Sequence, residues 1–341
     1  MTELSTLIAG AGSALLHVLQ LAPDDRVLVV TDQATKRIGE AFQAAAAWQG
    51  CATRLFLLPE AARPLRDIPP ELAALLDDAT VVVNAIEGRG EETPFRVAWL
   101  HRIEGLRRIR CGHSPGITEG MFEGGPLAVD YAQLRRTATR LVDDLAGALS
   151  ARITAPGGTD LTVGLFGRDF RHDCGASVEL MVNLPCGEAY CAPVETDADG
   201  LLVVDGAVSS LGPPPSPLRV HLRGGRIVRM SCEHAATLHE VGRLTGVDEQ
   251  ASVIGELGIG INPGARIVGR MLEDEKAVRT AHIAFGNNED MPGGRNCSRT
   301  HNDFLIHQPT ITVTYNDGRV ATPVDGGVPR AGTVAAPPPF D

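Results

Sequence analysis

Three short segments carry residue types that can hold a divalent cation. In His301-Asn302-Asp303 an imidazole and a carboxylate stand two apart and lead into the apolar run Phe304-Leu305-Ile306. Side chains of a strand repeat every two residues, so both would point to one face. In Ala281-His-Ile-Ala-Phe-Gly286 another histidine, His282, stands among small and β-branched residues, as on a half-buried strand. Imidazole nitrogen and carboxylate oxygen converging on one side make a ligand set for a divalent ion. An isolated His-x-Asp reads more simply as a strand cap beside a solvated carboxylate; its company gives it weight. Glu256 precedes the nearly apolar, glycine-rich Leu257-Gly-Ile-Gly-Ile261, and Glu188 lies between Pro185 and Pro193 in an almost uncharged stretch. A glutamate is seldom buried unless a cation or several donors accompany it. For Glu188 a solvated surface turn is an equal alternative.

Other polar groups have plainer readings. Leu272-Glu-Asp-Glu-Lys276 is ambiguous, since a charge run usually forms a solvated face. Glu289 and Asp290 fall in the Gly-rich connection 286–300 beside the candidate ligands, where either could act on substrate or simply be hydrated. The remaining eight histidines have no comparable setting, although His113 falls in a loop that follows the predicted α/β sheet. No Gly-x-Ser-x-Gly elbow and no Gly-x-x-x-x-Gly-Lys-Ser/Thr loop occurs. Gly10-Ala-Gly12 follows no strand and so is no dinucleotide fingerprint.

The elements that must position these residues fall into two textures. Helical spacing over 4–22 and 34–49 alternates with the apolar strands 26–31, 53–58 and 79–86, followed by a helix at 70–77 (before the third strand), a strand at 106–111, a loop at 112–126 and a helix over 129–150. Continuously apolar strands between helices predict an α/β domain with a largely parallel sheet over 1–150. From 151 the chain turns to short, turn-bounded strands at 160–164, 200–205, 218–222 and 226–230, one helix near 234–246, and a final hairpin at 310–315 and 319–322. This predicts a mainly antiparallel β domain over 151–325 that carries the metal site. Residues 326–341 read as a tail, disordered over 334–341.

Composition narrows the functional classes. A chain of 341 residues with 43% hydrophobic content and mean hydropathy of +0.01 reads as a soluble globular protein with a sizeable core. No apolar run reaches the ~18 residues that span a bilayer, and the N-terminus has no signal-peptide pattern. A net charge of −11 disfavours nucleic acid and anionic membrane as partners. Seven scattered cysteines without a Cys-x-x-Cys pair suit a reduced, cytoplasmic location.

Taken together, Asn183-Leu-Pro-Cys-Gly-Glu188, Glu256-Leu-Gly-Ile-Gly260, Glu273-Asp-Glu-Lys-Ala277, His282-Ile-Ala-Phe-Gly286 and His301-Asn-Asp303 resemble the thermophilic-type aminopeptidases of the M29 metallopeptidase family, over roughly residues 150–320. The resemblance implies two divalent ions (Zn, Co or Mn) held by Glu188, Glu256, His282, His301 and Asp303. It further implies a metal-activated water that removes the first residue of a small peptide or related amide, in a homodimer. Glu188 is then the bridging ligand or general base, with Glu289 as a second catalytic candidate. Glu289 stands where the family has a tyrosine, and the connection from His282 to His301 is shorter than the family's. The chain also resembles the mononuclear non-haem Fe(II) dioxygenases that open 2,5-dihydroxypyridine, whose iron ligands would match His282, His301 and Asp303. A non-catalytic, metal-binding descendant of a peptidase is the third reading.

Overall fold

The computed structural model describes residues 2–175 and 180–330. In chain order the first elements are α1 (Leu4–His17), β1 (Arg26–Thr31), α2 (Lys36–Trp48), β2 (Ala52–Leu57), α3 (Pro70–Ala74), β3 (Val81–Ile86), α4 (Thr93–Gly105), β4 (Arg110–Pro115) and α5 (Tyr131–Leu145). They are followed by β5 (Ala148–Thr154), β6 (Asp160–Gly164), β7 (Arg171–His172), β8 (Met181–Asn183), β9 (Glu188–Cys191) and β10 (Ala198–Val204). The rest are β11 (Leu218–Arg223), β12 (Arg226–Ser231), α6 (Ala235–Leu244), β13 (Ile254–Gly260), α7 (Met271–Asp274), β14 (Thr280–Gly286), β15 (His301–His307), β16 (Thr310–Tyr315), β17 (Val320–Asp325) and β18 (Val328–Pro329).

The chain divides into two compact units, Met1–Arg135 with Asp173–Cys186, and Arg136–His172 with Gly187–Asp341. The first holds a five-stranded parallel sheet in the order β2-β1-β3-β4-β8. β3 is buried at every residue, as its unbroken apolar run requires of a strand covered on both faces. Phe95, Trp99 and Ile103 of α4 pack with Leu28, Val30, Val82 and Ile86 of the sheet. The Trp99 indole N–H donates to Asn84 Oδ1 at 2.8 Å, which satisfies a polar side chain in mid-strand.

The second unit is antiparallel. One eight-stranded sheet runs β12-β11-β10-β6-β5-β16-β17-β18, and a five-stranded sheet runs β15-β14-β13-β9-β7. The fold class is therefore the expected one: an α/β part with a parallel sheet, and antiparallel sheets in the second half.

Several local expectations are corrected. The strand expected at 106–111 lies at Arg110–Pro115, because α4 runs to Gly105 and the chain turns at Arg107, with φ 50°. His113 is accordingly a strand residue, and burial, aided by the charge of Arg96, pushes its imidazole down to about 3. The helix expected to reach 150 stops at Leu145; Gly147 takes φ 73° and β5 begins at Ala148. Within the tail expected from 326, Val328–Pro329 pairs with β17; residues 331–341 of that expectation lie outside the described residues. The two units are not separated by one cut near 150. β8 returns to the parallel sheet beside β4, a pairing across about seventy residues that no local pattern announces.

Candidate metal centre

Strand pairing brings the five candidate ligands to one face of the β15-β14-β13-β9-β7 sheet. Ala284 of β14 lies between Glu256 of β13 and Asp303 of β15 in one row. Gly258 faces His282, Gly286 faces His301, and Glu188 at the start of β9 faces Gly260. Members of one strand differ by two, so their side chains share the face. Small residues separate the ligands: Gly258 and Gly260 on β13, Ala284 and Gly286 on β14. A Cβ at Gly258 would fall 2.0 Å from His282 Nε2, so only glycine leaves the imidazole in place. At Gly187, φ is 132° and a Cβ would lie 2.6 Å from that of Asn262. The bare backbone there accepts a 2.8 Å bond from the Ile261 N–H, which fixes the entry to β9 and so the direction of Glu188.

The side chains converge closely. Glu188, Glu256, His282 and Asp303 are buried, and the His301 side chain is 32% exposed. His282 Nε2 is 3.3 Å from Glu256 Oε1, 3.7 Å from Glu188 Oε2 and 4.0 Å from Asp303 Oδ1. His301 Nε2 is 3.0 Å from Glu256 Oε2 and 3.3 Å from Asp303 Oδ1. Two overlapping donor sets result, Glu188/Glu256/His282 and Glu256/His301/Asp303, with Glu256 offering one oxygen to each. The outer contacts of the two rings differ. The His301 Nδ1–H donates to the Asn287 carbonyl at 2.7 Å, which leaves Nε2 for the carboxylates. His282 Nδ1 is buried without a hydrogen-bond partner among the described residues, and Nε2 again faces the carboxylates.

Electrostatics describes a site shaped for a cation. Burial pushes the Glu256 carboxyl up, but bonds from His282 and His301 outweigh it and hold the carboxyl well below the usual range. Burial likewise opposes a charged His282, yet Glu256, Asp303 and Glu188 raise it to about 9. His301 is raised well above its ordinary value against burial, mainly by Asp303 and Glu256. Protons on the imidazoles thus do for the carboxylates what a divalent ion would do with neutral imidazoles. The donor set of N and O atoms fits Zn, Co, Mn or Fe(II). Metal uptake at pH 7 should therefore release protons, and affinity should climb as pH rises from 6 towards 9, because a ligating histidine must be neutral. Calorimetry in buffers of different ionisation enthalpy counts those protons; uptake with none released would contradict the ligand assignment.

Two residues at this face, Glu275 and Lys276, lie in a motif that carries the resemblance but were given no role by sequence. Lys276 is fully buried, and its Nζ bonds Glu188 and lies 2.8 Å from Glu275 Oε1. Burial raises the Glu275 carboxyl, against the pull of Lys276. The charge run 272–276 is not a solvated face: Leu272, Glu273 and Asp274 of α7 are buried too. The signal was the Leu and Ala that flank the run, which mark an inward-facing turn. Glu289, by contrast, is exposed and faces the thiol of Cys297. A separate donor group, Asp173, Cys174 and Cys186, lies in the first unit.

Comparison with known proteins follows the same lines. The family model described as thermophilic metalloprotease (M29) matches residues 129–326. No curated protein matches the chain in sequence. Among solved structures, 2,5-dihydroxypyridine dioxygenase from Pseudomonas putida KT2440 superposes with a TM-score of 0.74 at 16% identity, over 97% of this chain and 99% of its own. Wild-type AmpT from Thermus thermophilus superposes with a TM-score of 0.69 at 19% identity, over 95% of this chain and 99% of its own. Both share the fold. Among the described residues no helix is long and apolar enough to cross a membrane. With more than half of its length matched by the family model, and with that model's span covering every one of the five converging candidate ligands, this chain belongs to the M29 family of thermophilic metalloproteases.

Proposed function

We propose that this protein is a metal-dependent aminopeptidase-like hydrolase, which removes the first residue of a small peptide or a related amide. The observation that carries the reading is the shared Glu256, set between two imidazoles at 3.3 and 3.0 Å with Asp303 beside them. Two carboxylates and two histidines supply more donors than the two-His-one-carboxylate set of oxygen-activating iron, which needs open positions. Glu256, His282, His301 and Asp303 would hold a divalent ion there, whose chemistry would be to acidify a water towards neutrality and to polarise a carbonyl. Glu188, paired with the Lys276 ammonium, is the group to which we assign the water's proton. Glu256 and Asp303 fix the imidazoles, and the exposed edge of His301 is the side from which a chain terminus enters. Homodimeric assembly and a cytoplasmic location belong to this reading, and light scattering tests the first.

The test is hydrolysis of aminoacyl amides and short peptides after loading with Zn, Co or Mn. Activity should vanish with a chelator, return with the metal, and fail on N-acetylated peptides. The iron dioxygenase is the second reading, favoured by one observation: Lys276 already supplies a countercharge to Glu188, which leaves His282, His301 and Asp303 free to act as a three-donor set. Oxygen consumption with a dihydroxypyridine by the Fe(II)-loaded protein, together with inert amides, would replace the hydrolase by it.

A further inference from the structure

We propose that Asp173, Cys174 and Cys186 form a sulfur-containing zinc site in the parallel-sheet unit, with the Tyr131 hydroxyl as the fourth donor. The inference concerns other residues than the hydrolase reading and stands without it. One oxygen of Asp173 and the sulfurs of Cys174 and Cys186 lie within 4.8 Å of one another, and Cys174 Sγ is 3.7 Å from Asp173 Oδ1. Donors around a tetrahedral zinc stand ~3–4 Å apart, so a small contraction closes the set on an ion. All four side chains are buried. The Tyr131 hydroxyl has no hydrogen-bond partner among the described residues. Burial, with the thiols of Cys186 and Cys174 beside it, holds that hydroxyl well above its ordinary value. A buried polar group left in this state is costly, and an ion that takes its oxygen removes the cost.

The backbone sets each donor in place. The Gly175 N–H donates to the Asp173 carbonyl at 2.8 Å, a tight turn that brings Asp173 and Cys174 to one spot. At Gly175 φ is 147° and a Cβ would fall 2.7 Å from Arg135 Nη2, so glycine lets the guanidinium lie against the turn. Arg135 Nε donates to the Cys174 carbonyl at 2.9 Å. Cys186 is delivered separately: β8 pairs with β4, and just before Cys186 the Leu184 N–H donates to the His113 carbonyl at 3.1 Å. Tyr131 opens α5, and the His17 ring stacks on it at 5.8 Å. Thiolates select zinc over hard cations, and the ion on binding would expel both thiol protons to solvent. Two thiolates and a carboxylate exceed the charge of a dication by one, and the Arg135 guanidinium against the turn carries the opposite charge. A disulfide would use the two sulfurs alone and give the Tyr131 hydroxyl nothing, so the ion accounts for more of the cluster.

Cobalt(II) reports sulfur ligation directly, because thiolate ligands give an intense near-ultraviolet charge-transfer band that nitrogen and oxygen donors do not. The full chain is reduced, stripped with a chelator and titrated with Co(II) past saturation. Wild type should develop the band. Cys174→Ser should lose most of it, and Cys191→Ser, which removes a buried thiol outside the set, should keep it. No band in the wild type, a full band in a folded Cys174→Ser, or a band lost with Cys191 would overturn the proposal. If Cys174→Ser does not fold, zinc-edge X-ray absorption on the zinc-loaded Cys191→Ser decides. Sulfur scatterers at ~2.3 Å support the site, and nitrogen and oxygen neighbours at ~2.0–2.1 Å alone remove it. Peptide mapping of the isolated protein gives the last arm: a Cys174–Cys186 disulfide that takes up no zinc after reduction would replace the metal site by a redox pair.

Discussion

Glu256→Gln should cost more metal affinity than any other single substitution, by more than the ~100-fold that marks the upper range for residues acting behind the ligands. The reason is position. Among the described residues Glu256 is the one candidate ligand that both donor sets share, with one oxygen 3.3 Å from His282 and the other 3.0 Å from His301. A glutamine keeps the shape, removes the charge and turns an amide NH2 towards one of the two imidazoles. The metal-free variant offers a second readout. Glu256 is the main force raising His282 against burial, so in Glu256→Gln the His282 resonance should titrate well below 9. Histidine titration by NMR and metal titration on the same sample would check both. Metal affinity within tenfold of wild type would reject Glu256 as the central ligand.

The largest effect on stability is expected in the parallel-sheet unit. The Arg63 side chain is fully buried. It lies 3.0 Å from Asp32, which follows β1, and makes two bonds to Glu92, which precedes α4, at 2.8 and 2.6 Å. Glu92 also accepts from the Leu65 N–H at 2.9 Å, and its side chain is 1% exposed. Arg63→Met leaves two buried carboxylates without their cation, which costs ~3–5 kcal/mol. For a unit of this size that lowers the melting temperature by on the order of 10 °C. The pH dependence should follow. Arg63 holds the Glu92 carboxyl below its ordinary 4.5, against burial. A carboxylate with a depressed folded value contributes stability above 4.5 and loses it as pH falls through the folded value. The gap between wild type and Arg63→Met should therefore narrow from pH 7 to pH 3 in urea titrations. A loss under about 1 kcal/mol at pH 7 would mean that solvent reaches this cluster.

What the sequence discloses here depends on whether the signal is local. His301 and Asp303 were legible because strand period alone puts them on one face, and β15 keeps that period. Glu256 was legible because an acid beside Leu-Gly-Ile-Gly has no solvent to go to. Glu275 and Lys276 were not, because a charge run is normally hydrated and only the burial of α7 brings it inside. β8 was illegible for another reason. Three residues carry no period, and their partner β4 lies far back in the chain. The late start of β4, at Arg110, hid behind Leu106 to Ile109, where intermixed charged and apolar residues imitate a strand before the turn is complete.

The pairing of β9, β13, β14 and β15 also bears on how the chain comes to be active. Every candidate ligand owes its direction to strand alignment, and a slip of one residue in any of the four strands would send that strand's candidate ligands to the opposite surface. The segment from Glu188 to Asp303 must therefore be aligned throughout before a divalent ion finds its donors. An ion that binds only the aligned chain draws the folding equilibrium towards that arrangement. A divalent ion bound at this face would thus act as a selector of correctly paired chains, and loading would become a record that the sheet was assembled without error.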